Sequence, residues 1–184
     1  MEKEKWTWWL AIAFTIAVPA IGYISLGIIP ALIFLCGYAA GFIFWHFSTN
    51  TAWSKSISVV YWLTFGLFIV HRIEEKYMGF FDALSDLTAM PKPEITSTPI
   101  IALVLLSVGG WIAAPFMIER KSSFGYYLAW TFLASAGISE LAHFIFPFFK
   151  TGNYGYFPGM WSVFALAPVA WYGMVKLKKS NTKS

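Results

Sequence analysis

Six stretches of this chain are each apolar over nearly the length needed to cross a bilayer: about Trp6 to Ile24, Pro30 to Phe47, Ser56 to Met78, Pro99 to Ile118, Phe124 to Phe146 and Pro158 to Leu177. A hydrocarbon core of roughly 30 Å takes about 20 residues of α-helix. Backbone groups in lipid must find their partners inside the segment, and runs of this length do so as helices. The composition removes the soluble alternative. With 58% hydrophobic and 12% charged residues and a mean hydropathy of +0.63, the 184 residues lack the polar side chains to cover a globule, in which about 25% are charged. The sequence predicts an all-α fold: a single polytopic integral membrane domain over 1–184, a helical bundle of about six transmembrane helices.

Proline and glycine punctuate these runs. Pro30, Pro99 and Pro158 fit helix N-termini, where a missing N–H costs little, and Pro19 and Pro115 are expected to kink the helices they interrupt. A short turn around Gly27 and Pro30 makes a hairpin of the first two spans. The main polar break is an extramembrane loop over 79–98. Its first half carries Phe80, Phe81, Leu84 and Leu87 at helical spacing, which predicts a short helix at the membrane interface, although such a helix could also cap a cavity. The run after Met1-Glu2-Lys3-Glu4-Lys5 is long, has Trp6, Trp8 and Trp9, and lacks a small-x-small cleavage site, so a retained helix is expected rather than a signal peptide. The single Cys36 excludes an internal disulfide and suits a small buried position.

An even number of spans places both termini on one side. Most of the 13 lysines and arginines fall there: Lys3, Lys5, Lys55, Arg120, Lys121 and the tail Lys176, Lys178, Lys179 and Lys183. Arg72, Lys76, Lys92 and Lys150 fall on the other. The positive-inside rule then makes the protein multi-pass with both termini cytoplasmic. The formal net charge of +4 suits anionic headgroups, and with no recognition motif beside it no nucleic acid is expected as a partner. The expected partners are the membrane and a lipophilic small molecule or lipid; a homo-oligomer is also compatible.

Two clusters of ionisable residues sit where such residues are costly. His71-Arg72-Ile73-Glu74-Glu75 closes the third run, and Glu140-Leu141-Ala142-His143 lies near the end of the fifth. Helical residues three or four apart share a face, so His71 can meet Glu74 and Glu75, and Glu140 can meet His143. Topology carries both clusters, with the loop from Lys150 to Gly159, toward the outer leaflet. Ala134, Ser135, Ala136 and Gly137 would let the third and fifth helices pack closely. The set His71, Glu74, Glu140 and His143 offers imidazole and carboxylate ligands suited to zinc or iron, with Glu75 orienting a histidine. The same groups could move a proton without a metal, or tie helices together with Arg72. Tyr156 is a candidate substrate contact over the cluster. His46, at the other end of its helix, is expected to be interfacial.

His71-Arg72-Ile73-Glu74-Glu75, the later His143 and Tyr156-Phe157-Pro158-Gly159 before a closing apolar helix together resemble the membrane-protein family named for its HXXEE motif. The resemblance spans roughly Val59 to Tyr172 and implies that His71, Glu74, Glu75 and His143 serve one site, without naming a reaction. A looser likeness in helical setting and chemistry is to the emopamil-binding sterol isomerases, which move a double bond with His and Glu. The expected function is a membrane-embedded enzyme acting on a small lipophilic substrate: a metal-dependent hydrolase or oxidoreductase, or a His/Glu acid–base isomerase. The alternative is a non-enzymatic membrane protein that binds lipid or metal.

Overall fold

The computed structural model describes residues 4–48, 53–150 and 153–179. Lys3 and Lys183, counted above toward topology, lie outside the described residues, as does part of the loop after Lys150. Among the described residues, six helices are long and apolar enough to cross a membrane: α1 (Lys5–Leu26), α2 (Ile28–Phe47), α3 (Lys55–Tyr77), α5 (Thr98–Glu119), α6 (Ser123–Phe149) and α7 (Met160–Lys178, its last turn reaching Lys179). A seventh, α4 (Phe80–Thr88), is short. Each span lies within a few residues of its apolar run. The protein is a multi-pass helical membrane bundle.

Helix α6 is the axis of the bundle. Every residue from Ser123 to Gly137 is buried, because α2, α5 and α7 pack along it and α1 and α3 touch it. The outward faces carry exposed Ile16, Ile24, Leu32, Ile43, Leu63, Phe116 and Phe164, a surface suited to lipid rather than water. Cys36 is exposed on α2, not buried as expected: its side of the helix faces away from α6.

Close packing in the centre depends on small residues, but not between the helices anticipated. A Cβ on Gly41 would come within 2.5 Å of the Thr131 backbone, and one on Gly37 would lie 2.4 Å from Ser135 Oγ. Ser135 therefore packs α6 against α2. Gly137 faces Trp171 of α7, whose indole Nε1 donates to the Gly137 carbonyl at 2.5 Å. Within the small stretch from Ala134 to Gly137, Ser135 and Gly137 serve these contacts to α2 and α7.

Proline acts where it lies inside helices. Pro115, within α5, cannot donate to the carbonyl of Trp111 one turn earlier. The Tyr61 hydroxyl supplies the missing hydrogen bond at 2.6 Å and ties α3 to α5. Pro99 sits in the first turn of α5 and Pro30 in that of α2, as expected. Pro158 does not begin a helix: α7 starts at Met160, and Pro158 lies in the preceding turn, where its carbonyl has another partner. Helix α5 widens into a π turn over Leu105–Gly109. Helix α6 tightens after Gly137 into 3-10 turns at Ser139–Leu141 and Phe146–Phe149. Both irregularities border the site.

Candidate metal centre

The last turn of α3, the tightened end of α6 and the first turn of α7 meet at one end of the bundle. They bring His71, Glu75, Glu140 and His143 together, with one potential ligand atom from each lying within 4.8 Å of all the others. His71 and Glu75 share a face of α3 by their spacing of four. Glu140 and His143 are three apart in a segment that begins as a 3-10 turn, where such residues lie almost one above the other.

The imidazoles are held from behind. His143 Nδ1 lies 2.6 Å from the Pro158 carbonyl oxygen, an acceptor only, so Nδ1 carries the proton. Ser162 donates its hydroxyl to the Gly159 carbonyl at 3.1 Å, so its oxygen accepts from His71 Nδ1 at 2.8 Å. Both rings thus turn Nε2 inward. A histidine that donates its other ring N–H in this way has the tautomer and orientation of a metal ligand.

The carboxylates are held from the opposite side by one guanidinium. Arg72 Nη1 lies 2.7 Å from Glu75 Oε2, and Nη2 pairs with Glu140 Oε1. Each carboxylate therefore points its remaining oxygen at the imidazoles. Glu140 Oε2 is 3.2 Å from His71 Nε2 and 3.3 Å from His143 Nε2; Glu75 Oε1 is 3.5 and 3.3 Å from the same atoms. Direct charge-assisted hydrogen bonds of this type close to about 2.7–2.9 Å. Metal–ligand bonds of about 2.0–2.2 Å in a tetrahedron instead put neighbouring ligand atoms about 3.3–3.6 Å apart. The four imidazole–carboxylate separations fall in or next to that range, the two to Glu140 Oε2 being hydrogen bonds here, and the remaining ligand-atom pairs lie within 4.8 Å. Apart from its two histidine contacts, Glu75 Oε1 is buried with no hydrogen-bond partner among the described residues, a costly state for a carboxylate oxygen. The set could hold a metal ion: two neutral imidazole nitrogens and two carboxylate oxygens suit zinc or iron.

Glu74 stands apart from the cluster, which corrects its expected place among the ligands. It lies about 100° around α3 from Glu75, and its carboxylate accepts from the Ser162 and Trp161 backbone N–H groups at 2.7 and 3.2 Å and from the Tyr156 hydroxyl at 2.6 Å. It caps the N-terminus of α7, where unpaired N–H groups and the helix dipole favour an anion. Glu75 stands in the cluster instead. Tyr156, 40% exposed, contacts Glu74 and does not line the cavity described below. Partial burial, then the hydrogen bond and charge of Glu74, push its hydroxyl up to about 12, so it remains a donor at neutral pH. Replacing Glu74 with glutamine is expected to lower stability by about 1–2 kcal/mol without changing metal content. Thermal unfolding beside elemental analysis checks this, and loss of metal in E74Q would return Glu74 to the ligand set.

Other residues complete the site, Arg72 as the pairing partner the sequence already offered. Phe157 is fully buried, and with Phe80 and Phe146 it surrounds the His143 ring, centroids 5.3–6.0 Å away. Arg72, the Pro158 carbonyl and Ser162 are the partners that fix the ligands. His46 is not part of the cluster; its ring packs 4.9 Å from that of Trp8.

A cavity of about 450 Å³ opens beside the cluster. Arg72, Glu75, Glu140 and His143 form one wall, and the fully buried His71 sits behind them. Phe80, Phe81 and Leu84 of α4 cover it, with Lys76, Asp82 and Lys92 at its rim, the last two paired at 2.7 Å. The short helix thus lines a cavity, the second of the two roles its sequence allowed. From the cluster the cavity runs between α2, α3, α5 and α6 past Ile33, Phe34, Phe68 and Leu103 to Tyr38, Ser107 and Trp111. Its volume and largely apolar lining with a few polar groups match small-molecule sites. No family model, no curated protein and no solved structure matches this chain.

Proposed function

We propose that this protein is a membrane-embedded enzyme that uses a zinc or iron ion, held by His71, Glu75, Glu140 and His143, to act on a small lipophilic substrate. The observation that carries this reading is the placement of the four converging ligand atoms beside an apolar cavity of about 450 Å³. A site built only to join helices has no need of a chamber beside it. The reading includes membership of the HXXEE family, and an orientation with both termini cytoplasmic and the site toward the outer leaflet. The orientation is supported by Lys55, Arg120, Lys121, Lys176 and Lys178, which lie at the helix ends opposite the cluster.

A substrate entering the cavity meets Glu75, Glu140 and His143. A zinc or iron ion held there supplies Lewis acidity or redox capacity, the chemistry of hydrolases and oxidoreductases. Arg72 holds the outer carboxylate oxygens and so keeps the inner oxygens of Glu75 and Glu140 aimed at the ion. The Pro158 carbonyl keeps the proton of His143 on Nδ1, and the phenylalanines around that ring exclude water. Should protons occupy the set in place of a metal, the same carboxylates and imidazoles would serve an acid–base isomerase.

A second reading, a non-enzymatic lipid- or metal-binding protein, is favoured by one feature: protein atoms alone can complete a four-coordinate set, as in structural zinc sites. Turnover separates the two. Wild-type protein in nanodiscs is expected to convert a member of an isoprenoid, sterol or acyl-lipid panel, scored by mass spectrometry, while His71→Ala converts none. Equal conversion by both proteins would remove the cluster from the chemistry. Lipid retained unaltered by the wild type would favour the binding protein.

A further inference from the structure

We infer that the inner end of the cavity is a binding subsite for the carbonyl or hydroxyl oxygen of a lipophilic molecule, with Ser107 and Ser135 as its donors. This rests on the reading of the cavity as the substrate chamber. Both serines line the cavity, and each is more than nine-tenths buried, at 9% and 8% exposure. Three hydroxyls elsewhere in these helices are consumed locally: Thr15, Ser25 and Thr64 each donate to the carbonyl four residues earlier, at 2.7–2.8 Å.

Ser107 and Ser135 do not follow that pattern. Tyr38 donates its hydroxyl to Ser107 Oγ at 3.0 Å, which leaves the Ser107 proton to point elsewhere, and no acceptor for it occurs among the described residues. Ser135 Oγ has no hydrogen-bond partner among the described residues. Ser107 sits in the π turn of α5, a widening that recurs at functional sites in helical proteins and here presents the hydroxyl to the chamber.

Two hydroxyls that line one largely apolar chamber select a ligand that brings an acceptor, because a donor enclosed by a ligand without one is unfavourable. Oxygen in a ketone, ester or alcohol meets that need, whereas a hydrocarbon of the same length leaves both donors unpaired. Ser135 precedes Glu140 by five residues, roughly 7–8 Å of helix. The molecule therefore carries its oxygen several carbons from the atoms that reach the cluster.

The test compares 2-dodecanone with n-dodecane on wild-type protein in nanodiscs, with bound amounts measured by gas chromatography–mass spectrometry after gel filtration and corrected against empty discs. Retention of the ketone about tenfold above the alkane is expected, in line with a hydrogen bond gained in a buried site. Ser107→Ala/Ser135→Ala should bring the two to near equality by lowering ketone retention alone. Equal retention by the wild type, or a preference that survives in the double variant, overturns the subsite and leaves the chamber intact. Retention of neither compound above empty discs overturns the chamber reading and the subsite with it. The wild-type comparison needs no variant, so a folding defect in the double variant does not blunt it.

Discussion

Arg72→Ala is expected to weaken zinc or iron binding at the cluster about 10–100-fold and to destabilise the protein by about 3 kcal/mol. The reason lies in what the guanidinium leaves behind. Glu75 and Glu140 keep only 6% and 13% of their side-chain surface exposed, and Arg72 pairs with both. Removing one partner of a buried ion pair typically costs about 3–5 kcal/mol, because an uncompensated charge remains; the 42% exposure of Arg72 places the loss at the lower end. Each carboxylate also loses the contact that aims its inner oxygen. Removing partners of this kind costs about 10–100-fold in metal affinity. Arg72→Lys should recover part of the stability and little of the affinity, since one ammonium cannot reproduce a fork spanning two carboxylates. Chemical denaturation and metal titration of both variants check this. Full metal retention in R72A would show that the carboxylates need no such support.

Gly159→Ala is expected to be comparably severe, through a different cause. Gly159 has φ +98, and a Cβ there would sit 2.6 Å from His143 Cε1 and Nδ1 and 2.8 Å from His71 Cε1. The backbone strain alone costs about 1–3 kcal/mol, and forcing atoms into a packed interior adds about 1–3 kcal/mol. Both imidazoles are fixed by Pro158 and Ser162 on either side of this residue, so relief must come from displacing the rings. G159A should lose both stability and metal, whereas E74Q loses stability alone. A G159A protein with wild-type metal content and melting temperature would mean that the turn before α7 can move freely, contrary to the packing described.

Much of this architecture is legible in the sequence because bilayer thickness and helical periodicity act locally. Six apolar runs become six spans, and the three- and four-residue spacings bring His71 to Glu75 and Glu140 to His143. The choice between Glu74 and Glu75 is not local. Both are within helical reach of His71, and only the position of α7, whose first N–H groups take Glu74, turns Glu75 toward the cluster. Arg72 is legible as a topological charge and as a pairing partner of these groups, but not as a fork spanning two carboxylates from different helices. In Tyr156-Phe157-Pro158-Gly159 the tyrosine drew attention as the polar residue. The cluster instead uses the Phe157 ring, the Pro158 carbonyl and the absence of a side chain at Gly159, none of which residue chemistry advertises. The cavity is equally silent in sequence, since it arises from the space between four helices and from a π turn that no spacing rule indicates.

The central claim is that the four inward atoms hold a metal ion. Elemental analysis of wild-type protein purified without a His tag, with His71→Ala/His143→Ala as the reference, tests it most directly. The account predicts close to one zinc or iron per wild-type chain and none in the double variant, which should still purify folded in detergent because the packing along Ser123–Gly137 is untouched. Wild-type protein that holds no metal, and takes up none when zinc or iron(II) is supplied during purification, would contradict it and leave His71, Glu75, Glu140 and His143 as a proton-sharing cluster.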